Sequence, residues 1–238
     1  MSTLVSINTK HPKERVWFLR DLNRKIDNCP FCKAKGNKLQ HILGGGAIDN
    51  PDYFFVLINP TYRNITSDPN HRGLRIPFMG VSNFWRVLVE SGFLPKKIYS
   101  TTEKGIWDQN DILTVANALK EAGLYLTNLV KCCSKDAAPP SVAAIKSHTQ
   151  ILKEEIWITD PKLIITFGLL PFQALVGRSI KLSAHLKSAR VGNINVFKTI
   201  PIGRVTYKVF PTFFPVGRGR PKESIELLKY LRQNPIKS

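Results

Sequence analysis

The 238-residue chain is short of cysteine, of acidic residues and of long apolar runs. No hydrophobic run approaches the roughly 20 residues that cross a membrane, so a membrane-spanning protein is not expected. The N-terminal stretch "MSTLVSINTKHPKERVWFLR" lacks the long apolar segment and the small-residue cleavage site of a secretory signal peptide. We therefore expect a cytoplasmic protein, in which closely spaced cysteines are more often metal ligands or redox groups than disulfides.

The shortage of acidic residues leaves a strongly basic chain. Seventeen Asp and Glu stand against thirty-five Lys and Arg, which gives a formal net charge of +18. A field of this sign attracts a polyanion and favours nucleic acid over an acidic partner protein. The basic residues are spread along the whole chain and form no terminal arm. This distribution predicts a charged face on a folded domain.

The pattern of apolar residues predicts alternating strands and helices. Four short runs rich in β-branched or aromatic residues indicate buried parallel strands: "YFFVLI" (53–58), "LYLTNLV" (124–130), "KLIITF" (162–167) and "VTYKVF" (205–210). Helix-like stretches lie between them: "VSNFWRVLVESGF", "QNDILTVANALKEAG" and "PPSVAAIKSHTQILKEEIWITD". This order predicts a three-layer α/β/α sandwich with a central, mostly parallel four-stranded sheet.

The loops after the four predicted strands carry the unusual sequences of the chain. Ligands in such folds bind at the carboxyl ends of the strands. The loops read "INPTYRN", "TNLVKCCS", "FGLLPFQALVG" and "FPTFFPVGRGRP", and "CPFC" and "PFMG" stand before the first helix-like stretch. This ordered set of motifs, from about Cys29 to about Leu231, resembles the uracil-DNA glycosylase superfamily.

The resemblance implies one domain over residues 1–238. Residues 1–45 would form an N-terminal segment attached by a metal site. The run "GGG" at 44–46 lacks the Lys and the Ser or Thr of a nucleotide-binding loop, and we interpret it as a flexible connector.

The cysteines follow the layout of the family 4, iron-sulfur branch of this superfamily. That branch has a Cys-x-x-Cys, then Pro-Phe-x-Gly, then Thr-Asn-x-x-Lys-Cys, and a fourth cysteine in the next helix. Cys29, Cys32 and Cys132 stand at three of these positions, and His148 stands at the fourth, sixteen residues after Cys132. The resemblance therefore implies a metal centre formed by these four side chains.

The identity of the metal stays open at this point. Three thiolates and one imidazole suit a 4Fe-4S cluster with one His ligand, and they suit zinc equally well. Cys133 is an alternative fourth thiolate, ranked below His148 because neighbouring residues rarely both reach one cluster. A degenerate site of buried thiols and a surface His is a further alternative. The role of a fully ligated centre would be structural.

The first-strand motif is similar to a different branch. "LINPT" matches the Gly-Ile-Asn-Pro-Gly of the mismatch-specific uracil and thymine glycosylases, and "NFWRVLVESGF" resembles that branch as well. The resemblance implies that Asn59 positions the attacking water, whereas an isolated Asn-Pro would be interpreted as a turn. An amide holds a water but is no strong general base, which predicts slow chemistry or a good leaving group.

Base recognition is assigned by the resemblance to Phe78 and Asn128. A base inside a duplex is inaccessible, so it must be flipped into a pocket where an aromatic face stacks on it and an amide contacts its edge. Phe78 of "PFMG" matches the stacking position and Asn128 of "TNLVKC" the recognition position. A core aromatic and a strand-end amide are the structural alternatives.

The last motif lacks a histidine. Family 4 has His-Pro here, whereas this chain has Phe210-Pro211. The residues that follow indicate a DNA-binding loop, with apolar wedges for the gap left by the base and arginines near phosphates: Phe213, Phe214, Val216, Arg218 and Arg220. A basic surface turn is the alternative interpretation.

We expect a monofunctional DNA glycosylase that hydrolyses the bond to a flipped-out uracil or modified pyrimidine and leaves an abasic site. Its partner would be DNA, and we expect a monomer associated with the nucleoid. One alternative is a glycosylase specific for a modified cytosine, including a bulky one as in phage DNA, for which a pocket without His leaves room. Another is an inactive, metal-stapled DNA-binding module, favoured by the loss of an acidic group in the first motif and of His in the last.

Overall fold

The computed structural model describes residues 12–30, 38–134, 138–192 and 197–234. The strands in this part of the chain are β1 (Gly45–Gly46), β2 (Tyr53–Leu57), β3 (Leu124–Asn128), β4 (Leu163–Phe167), β5 (Lys198–Ile202) and β6 (Val205–Thr212). They form one sheet in the order β1-β3-β2-β4-β6-β5. The four predicted strands are confirmed as its parallel centre, β3-β2-β4-β6.

The prediction of a four-stranded sheet was wrong in number, because each edge carries an additional antiparallel strand. β1 pairs with β3, and β5 pairs with β6. The interpretation of "GGG" as a flexible connector was also wrong, since Gly45 and Gly46 form β1. This two-residue strand is formed by backbone hydrogen bonds alone, so no side-chain pattern in the sequence predicts it.

Helices cover both faces of the sheet, which confirms the three layers. They are α1 (Pro12–Asp27), α2 (Ser82–Glu90), α3 (Tyr99–Thr102), α4 (Gln109–Glu121), α5 (Val142–Thr159), α6 (Leu169–Val176), α7 (Leu182–Arg190) and α8 (Pro221–Gln233). Buried residues of α2, α4, α7 and α8 share one core with Phe55 and Leu57 of β2. Residues of α5 and α6 share the other core with Phe54 and Val56. Strands buried on both faces are therefore apolar at successive positions.

Local sequence explains where the helices begin. Asp108 caps α4 by accepting from the amide of Asp111, whose side chain accepts from the Asp108 amide in return. The Ser141 hydroxyl accepts from the amide of Ala144 at the start of α5. Each cap satisfies amides that have no partner inside the helix.

The first helix packs against the outer side of α5. Leu22 and Ile26 of α1 form a small apolar cluster with Ile158. The guanidinium of Arg15 donates to the carbonyl of Thr159 at 2.6 Å. These contacts fix α1 along α5, and the end of α1 leads directly into the Cys-x-x-Cys segment.

Candidate active site and metal centre

Two asparagines lie at the carboxyl edge of the sheet, on neighbouring parallel strands. Asn128 is the last residue of β3 and is the register partner of Leu57, the last residue of β2. Paired residues share a face of the sheet, so Asn128 faces the core that contains Leu57 and against which Phe78 also packs. Asn59 stands two residues beyond Leu57. The parallel topology thus places Asn59 and Asn128 at the edge where ligands bind in this class of fold.

The amide of Asn128 is buried and unpaired. Its side chain is 0% exposed, and neither Oδ1 nor Nδ2 has a hydrogen-bond partner among the residues that the structure describes. Leaving a buried polar group unsatisfied costs about 1–3 kcal/mol, and Asn128 is the one described residue in which two such buried side-chain atoms lack a partner. One donor and one acceptor in the same plane can bind the complementary edge of a pyrimidine.

The amide of Asn59 is oriented by the backbone around it. Nδ2 donates to the carbonyl of Pro60 at 3.2 Å and to that of Ala138 at 3.4 Å. The assignment of the two amide atoms follows from these acceptors. Oδ1 is consequently the atom of this half-buried side chain that can accept a hydrogen bond from water.

Phe78 adopts a backbone conformation that is unusual for a bulky residue. Its φ is +62°, a region costly for side chains with a Cβ. Its carbonyl accepts from Trp85 Nε1 at 3.0 Å and from the amide of Val81 at 3.0 Å. Its ring stacks on Phe84, with the centroids 4.4 Å apart. The ring remains half-buried, which leaves part of its surface available to a ligand.

The loop after β6 contains both buried and exposed members of the predicted DNA-binding set. Arg218 and Arg220 are exposed, and Phe214 is half-buried. Phe213 is only 8% exposed and belongs to the core, with the Arg220 guanidinium 5.6 Å from the centre of its ring. The burial of Phe213 contradicts the prediction that it is an apolar wedge, because its ring fills the core beneath the loop. Phe214 and Val216 are the apolar residues of this loop that remain partly exposed.

Three of the predicted metal ligands form a compact triangle. The sulfurs of Cys29 and Cys132 are 3.5 Å apart. Nε2 of His148 lies 3.5 Å from the first sulfur and 3.4 Å from the second. Cys132 is thus the member of the Cys-Cys pair at the centre of the site, while Cys133 is the buried residue beside it. Cys32 lies outside the described residues.

The burial of His148 sets its protonation state. Its side chain is 0% exposed. Burial, with the charges of Lys131 and His41 as smaller causes, lowers its pKa to about 4. The imidazole is therefore neutral at neutral pH, as metal coordination requires. The expectation of a surface His under the degenerate-site alternative was wrong.

A second histidine, which the sequence did not indicate, lies at the same place. One ring nitrogen of His41 is within 4.8 Å of the sulfurs of Cys29 and Cys132. Its Nδ1 lies 3.4 Å from a carboxylate oxygen of Asp27, and its buried Nε2 has no hydrogen-bond partner among the described residues. Arg75 holds that carboxylate through two bonds of 2.7 and 2.8 Å. A carboxylate behind an imidazole is the usual outer shell of a metal-binding histidine.

A buried ion pair lies beside the candidate metal ligands and the end of β3. The ammonium of Lys131 is fully buried and lies 2.5 Å from a carboxylate oxygen of Glu155. It also contacts the hydroxyl of Thr127, the residue before Asn128. Tyr125 donates to the same carboxylate at 2.8 Å. Burial lowers the pKa of Lys131, and the carboxylate opposes this shift. The network fixes the end of β3 next to Asn128 and Cys132.

The family model for the "Uracil DNA glycosylase superfamily" matches residues 21–233. The chain belongs to that superfamily. The match covers both asparagines, Phe78, the loop after β6 and the described candidates for metal ligands. No curated protein matches the chain.

Membership of the superfamily identifies the general activity. The protein is a DNA glycosylase, which is a hydrolase that acts on DNA and a class associated with repair. This agrees with the net charge of +18. No helix in the described ranges is both long enough and apolar enough to span a bilayer.

Proposed function

We propose that the protein is a monofunctional glycosylase, which hydrolyses the N-glycosidic bond of a flipped-out uracil or modified pyrimidine and leaves an abasic site. The observation that carries this proposal is the buried amide of Asn128, with both polar atoms unpaired at the carboxyl edge of the sheet. Such an amide gains hydrogen bonds when a base edge enters the site. Rotated by half a turn, it matches either a uracil-like or a cytosine-like edge.

Phe78 and Asn128 would divide the recognition of the flipped base. The half-buried ring of Phe78 would stack on the face of the base, which every pyrimidine offers. Asn128 would contact its edge, which differs between pyrimidines. Stacking would therefore contribute affinity for any pyrimidine, and the Asn128 amide would determine which pyrimidine is bound.

Asn59 would position the attacking water. Its Nδ2 is engaged by the carbonyls of Pro60 and Ala138, so Oδ1 would accept a hydrogen bond from the water and orient it towards C1′ of the sugar. The water oxygen bonds to C1′ as the bond to the base breaks, the base takes the electron pair, and the water proton passes to solvent or to the base. An amide supplies orientation without taking up the proton. Phe210 is buried within the core, so no imidazole at that position assists the departing base.

The loop after β6 would hold the DNA around the extrahelical nucleotide. Arg218 and Arg220 are exposed and would contact phosphates, and Phe214 would fill the space left by the flipped base. Arg220 also lies 3.5 Å from Glu223, which reduces its contribution to phosphate binding. Arg218 is therefore the stronger candidate.

A panel of duplex and single-stranded oligonucleotides tests this function. Each would carry one uracil, mismatched thymine or modified cytosine, and abasic sites would be scored by alkaline cleavage under single-turnover conditions. Asn59→Ala should reduce cleavage about a hundredfold or more while binding to the altered DNA persists, because its contribution is made in the transition state. Asn110→Ala, at an exposed position on α4, is the matched control and should cleave normally.

The same panel separates the alternatives. Cleavage confined to substituted cytosines would identify the modified-cytosine enzyme. DNA binding without cleavage of any base would favour the inactive binding module and contradict the proposal. Full activity of Asn59→Ala would remove the water-positioning role.

A further inference from the structure

The spacing of the ligand atoms distinguishes a single metal ion from an iron-sulfur cluster. The three distances among Sγ of Cys29, Sγ of Cys132 and Nε2 of His148 are 3.5, 3.5 and 3.4 Å. In a four-iron, four-sulfur cluster each protein ligand binds a different iron, so the ligand atoms are held apart by the width of the cluster. Two sulfurs in van der Waals contact leave no space for iron and sulfide between them. The described ligands therefore do not fit the cluster that the resemblance to family 4 implies.

The same triangle fits one tetrahedral ion. Zinc binds sulfur at about 2.3 Å and imidazole nitrogen at about 2.0–2.1 Å, so tetrahedral geometry separates two sulfurs by about 3.8 Å and a sulfur from a nitrogen by about 3.6 Å. The observed distances are within about 0.3 Å of these values. Two thiolates and one neutral imidazole are also a donor set that zinc favours.

We propose that the centre is a mononuclear, zinc-type site with Cys29, Cys132 and His148 as three of its ligands. One side of the triangle joins residues 103 positions apart in the chain, so the ion connects the segment after α1 to the loop after β3 and to α5. His41 is the candidate for the fourth ligand among the described residues, and Cys32 is the candidate that the sequence offers. His41 has the Asp27 carboxylate and Arg75 behind it, and Cys32 has the Cys-x-x-Cys spacing.

The role of this ion would be structural and local to the base site. Cys132 lies four residues after Asn128, and between them Lys131 is held by Glu155. The ion would anchor this loop from the outer side. It would take no part in breaking the glycosidic bond, so the inference is independent of which base is cleaved.

Metal analysis of the wild-type protein is the direct test. The chain would be produced with both iron and zinc in the medium and purified without oxygen. We expect about one zinc per chain, no acid-labile sulfide and no absorption band near roughly 400 nm. Anaerobic treatment with iron and sulfide should not change this result. About four irons and four sulfides per chain after either procedure would overturn the proposal, as would a folded protein without bound metal.

X-ray absorption at the zinc edge identifies the ligands without any substitution. Sulfur at about 2.3 Å and nitrogen at about 2.0 Å in one shell are expected. A shell of oxygen alone, or a metal neighbour at short distance, would contradict a mononuclear Cys and His site.

Variants then test the individual residues. Cys132→Ser and His148→Ala should lose most of the zinc, whereas Cys133→Ser, the adjacent cysteine, is the matched control and should retain it. His148→Cys should also retain zinc, because a thiolate replaces the imidazole. Zinc retained at one per chain in Cys132→Ser would show that this triangle is not the metal site.

Discussion

Phe78 stacks on Phe84 with the ring planes inclined by 19° and the centroids 4.4 Å apart. Phe84 in turn meets Phe167 edge to face at 5.8 Å, so the ring of Phe78 rests on the core beneath the end of β4. Phe78 keeps this position at a φ of +62°. A strained backbone that presents a half-exposed ring over a fully buried one is typical of a binding platform.

Replacement of Phe78 should separate activity from stability. In Phe78→Gly the glycine removes the backbone strain, which offsets part of the lost packing on Phe84. We expect the melting temperature to change little and single-turnover cleavage to fall about 10- to 100-fold, since base stacking is worth about 1–3 kcal/mol. Phe78→Tyr keeps the ring and is the control. Equal loss of activity in both variants would contradict the stacking role.

Asn128→Leu should make the protein more stable and inactive. The leucine has a similar volume and no polar atoms, so the cost of the unpaired amide, about 1–3 kcal/mol, is removed. Urea unfolding would measure the gain, and the oligonucleotide panel the loss. Destabilisation of more than about 1 kcal/mol would indicate that the amide is paired in the free protein.

Asn128→Asp should change the choice of base. An ionised carboxylate only accepts hydrogen bonds, whereas the amide of Asn128 also donates. Substrates that present a donor edge should therefore be less affected than those that present an acceptor edge. The ratio of cleavage rates between a uracil and a cytosine derivative measures this effect. The same proportional loss on every base would argue against direct recognition by residue 128.

Removal of the buried ammonium of Lys131 should destabilise the fold. Lys131→Met leaves the Glu155 carboxylate without its cation at 2.5 Å in a fully buried site, and we expect a cost of about 3–5 kcal/mol. Lys131→Met combined with Glu155→Gln should recover part of this loss, because the remaining group is neutral. A free energy of unfolding that is unchanged in the single variant would show that the pair contributes nothing.

The buried His185 should make stability depend on acidity. Its ring lies 4.9 Å from that of Phe210. Burial lowers its pKa to about 4, the charge of Lys198 acts in the same direction, and a hydrogen bond with the backbone of Pro211 opposes it. The unfolded chain binds a proton near pH 6.5 and the folded chain does not. Stability should therefore be complete above pH 6.5 and fall, on the order of 3 kcal/mol, as the pH decreases towards 4.

His185→Gln provides the comparison for this prediction. The variant lacks the titrating group, so its free energy of unfolding should depend less on pH between 6.5 and 4 than that of the wild type. His148 is present in both proteins, so any contribution that it makes cancels in the difference. Identical pH profiles would contradict the assignment.

β2, β3 and β4 could be predicted because they are buried on both faces and therefore read as short apolar runs. β6 was predicted from its β-branched and aromatic residues, although its first half alternates between exposed and buried positions. The edge strands could not be predicted from apolar runs. β1 consists of Gly45 and Gly46 and has no side chains to form a pattern. β5 contains Pro201 and alternates between exposed and buried residues at the outer side of the sheet, where strand propensity is weak.

The site residues likewise include some that the sequence predicted and others that only the structure revealed. Asn59, Phe78 and Asn128 were predicted from the motifs that carry the family resemblance, and the two asparagines stand at or just after the ends of recognisable strands. His41 stands in the stretch "LQHIL", which has no metal-ligand spacing. Its place beside Cys29 and Cys132 arises only in the folded chain, where the amide of the next residue, Ile42, donates to the carbonyl of Lys131 after β3. Phe213 looked like a surface wedge because its neighbours are turn-forming and basic residues, yet it fills the core.

The amino-acid sequence by itself determined the alternation of strands and helices, the basic character and the kinds of side chain available for chemistry. These properties depend on residues close to one another in the chain. Tertiary structure alone decided that the Asn128 amide has no partner in the described structure, that Phe78 is held at a positive φ on Phe84, and that three of the predicted metal ligands form a triangle with sides of 3.4 and 3.5 Å. The physical reason is that pairing, burial and ligand spacing are set by contacts between distant segments, such as the 103 positions between Cys29 and Cys132.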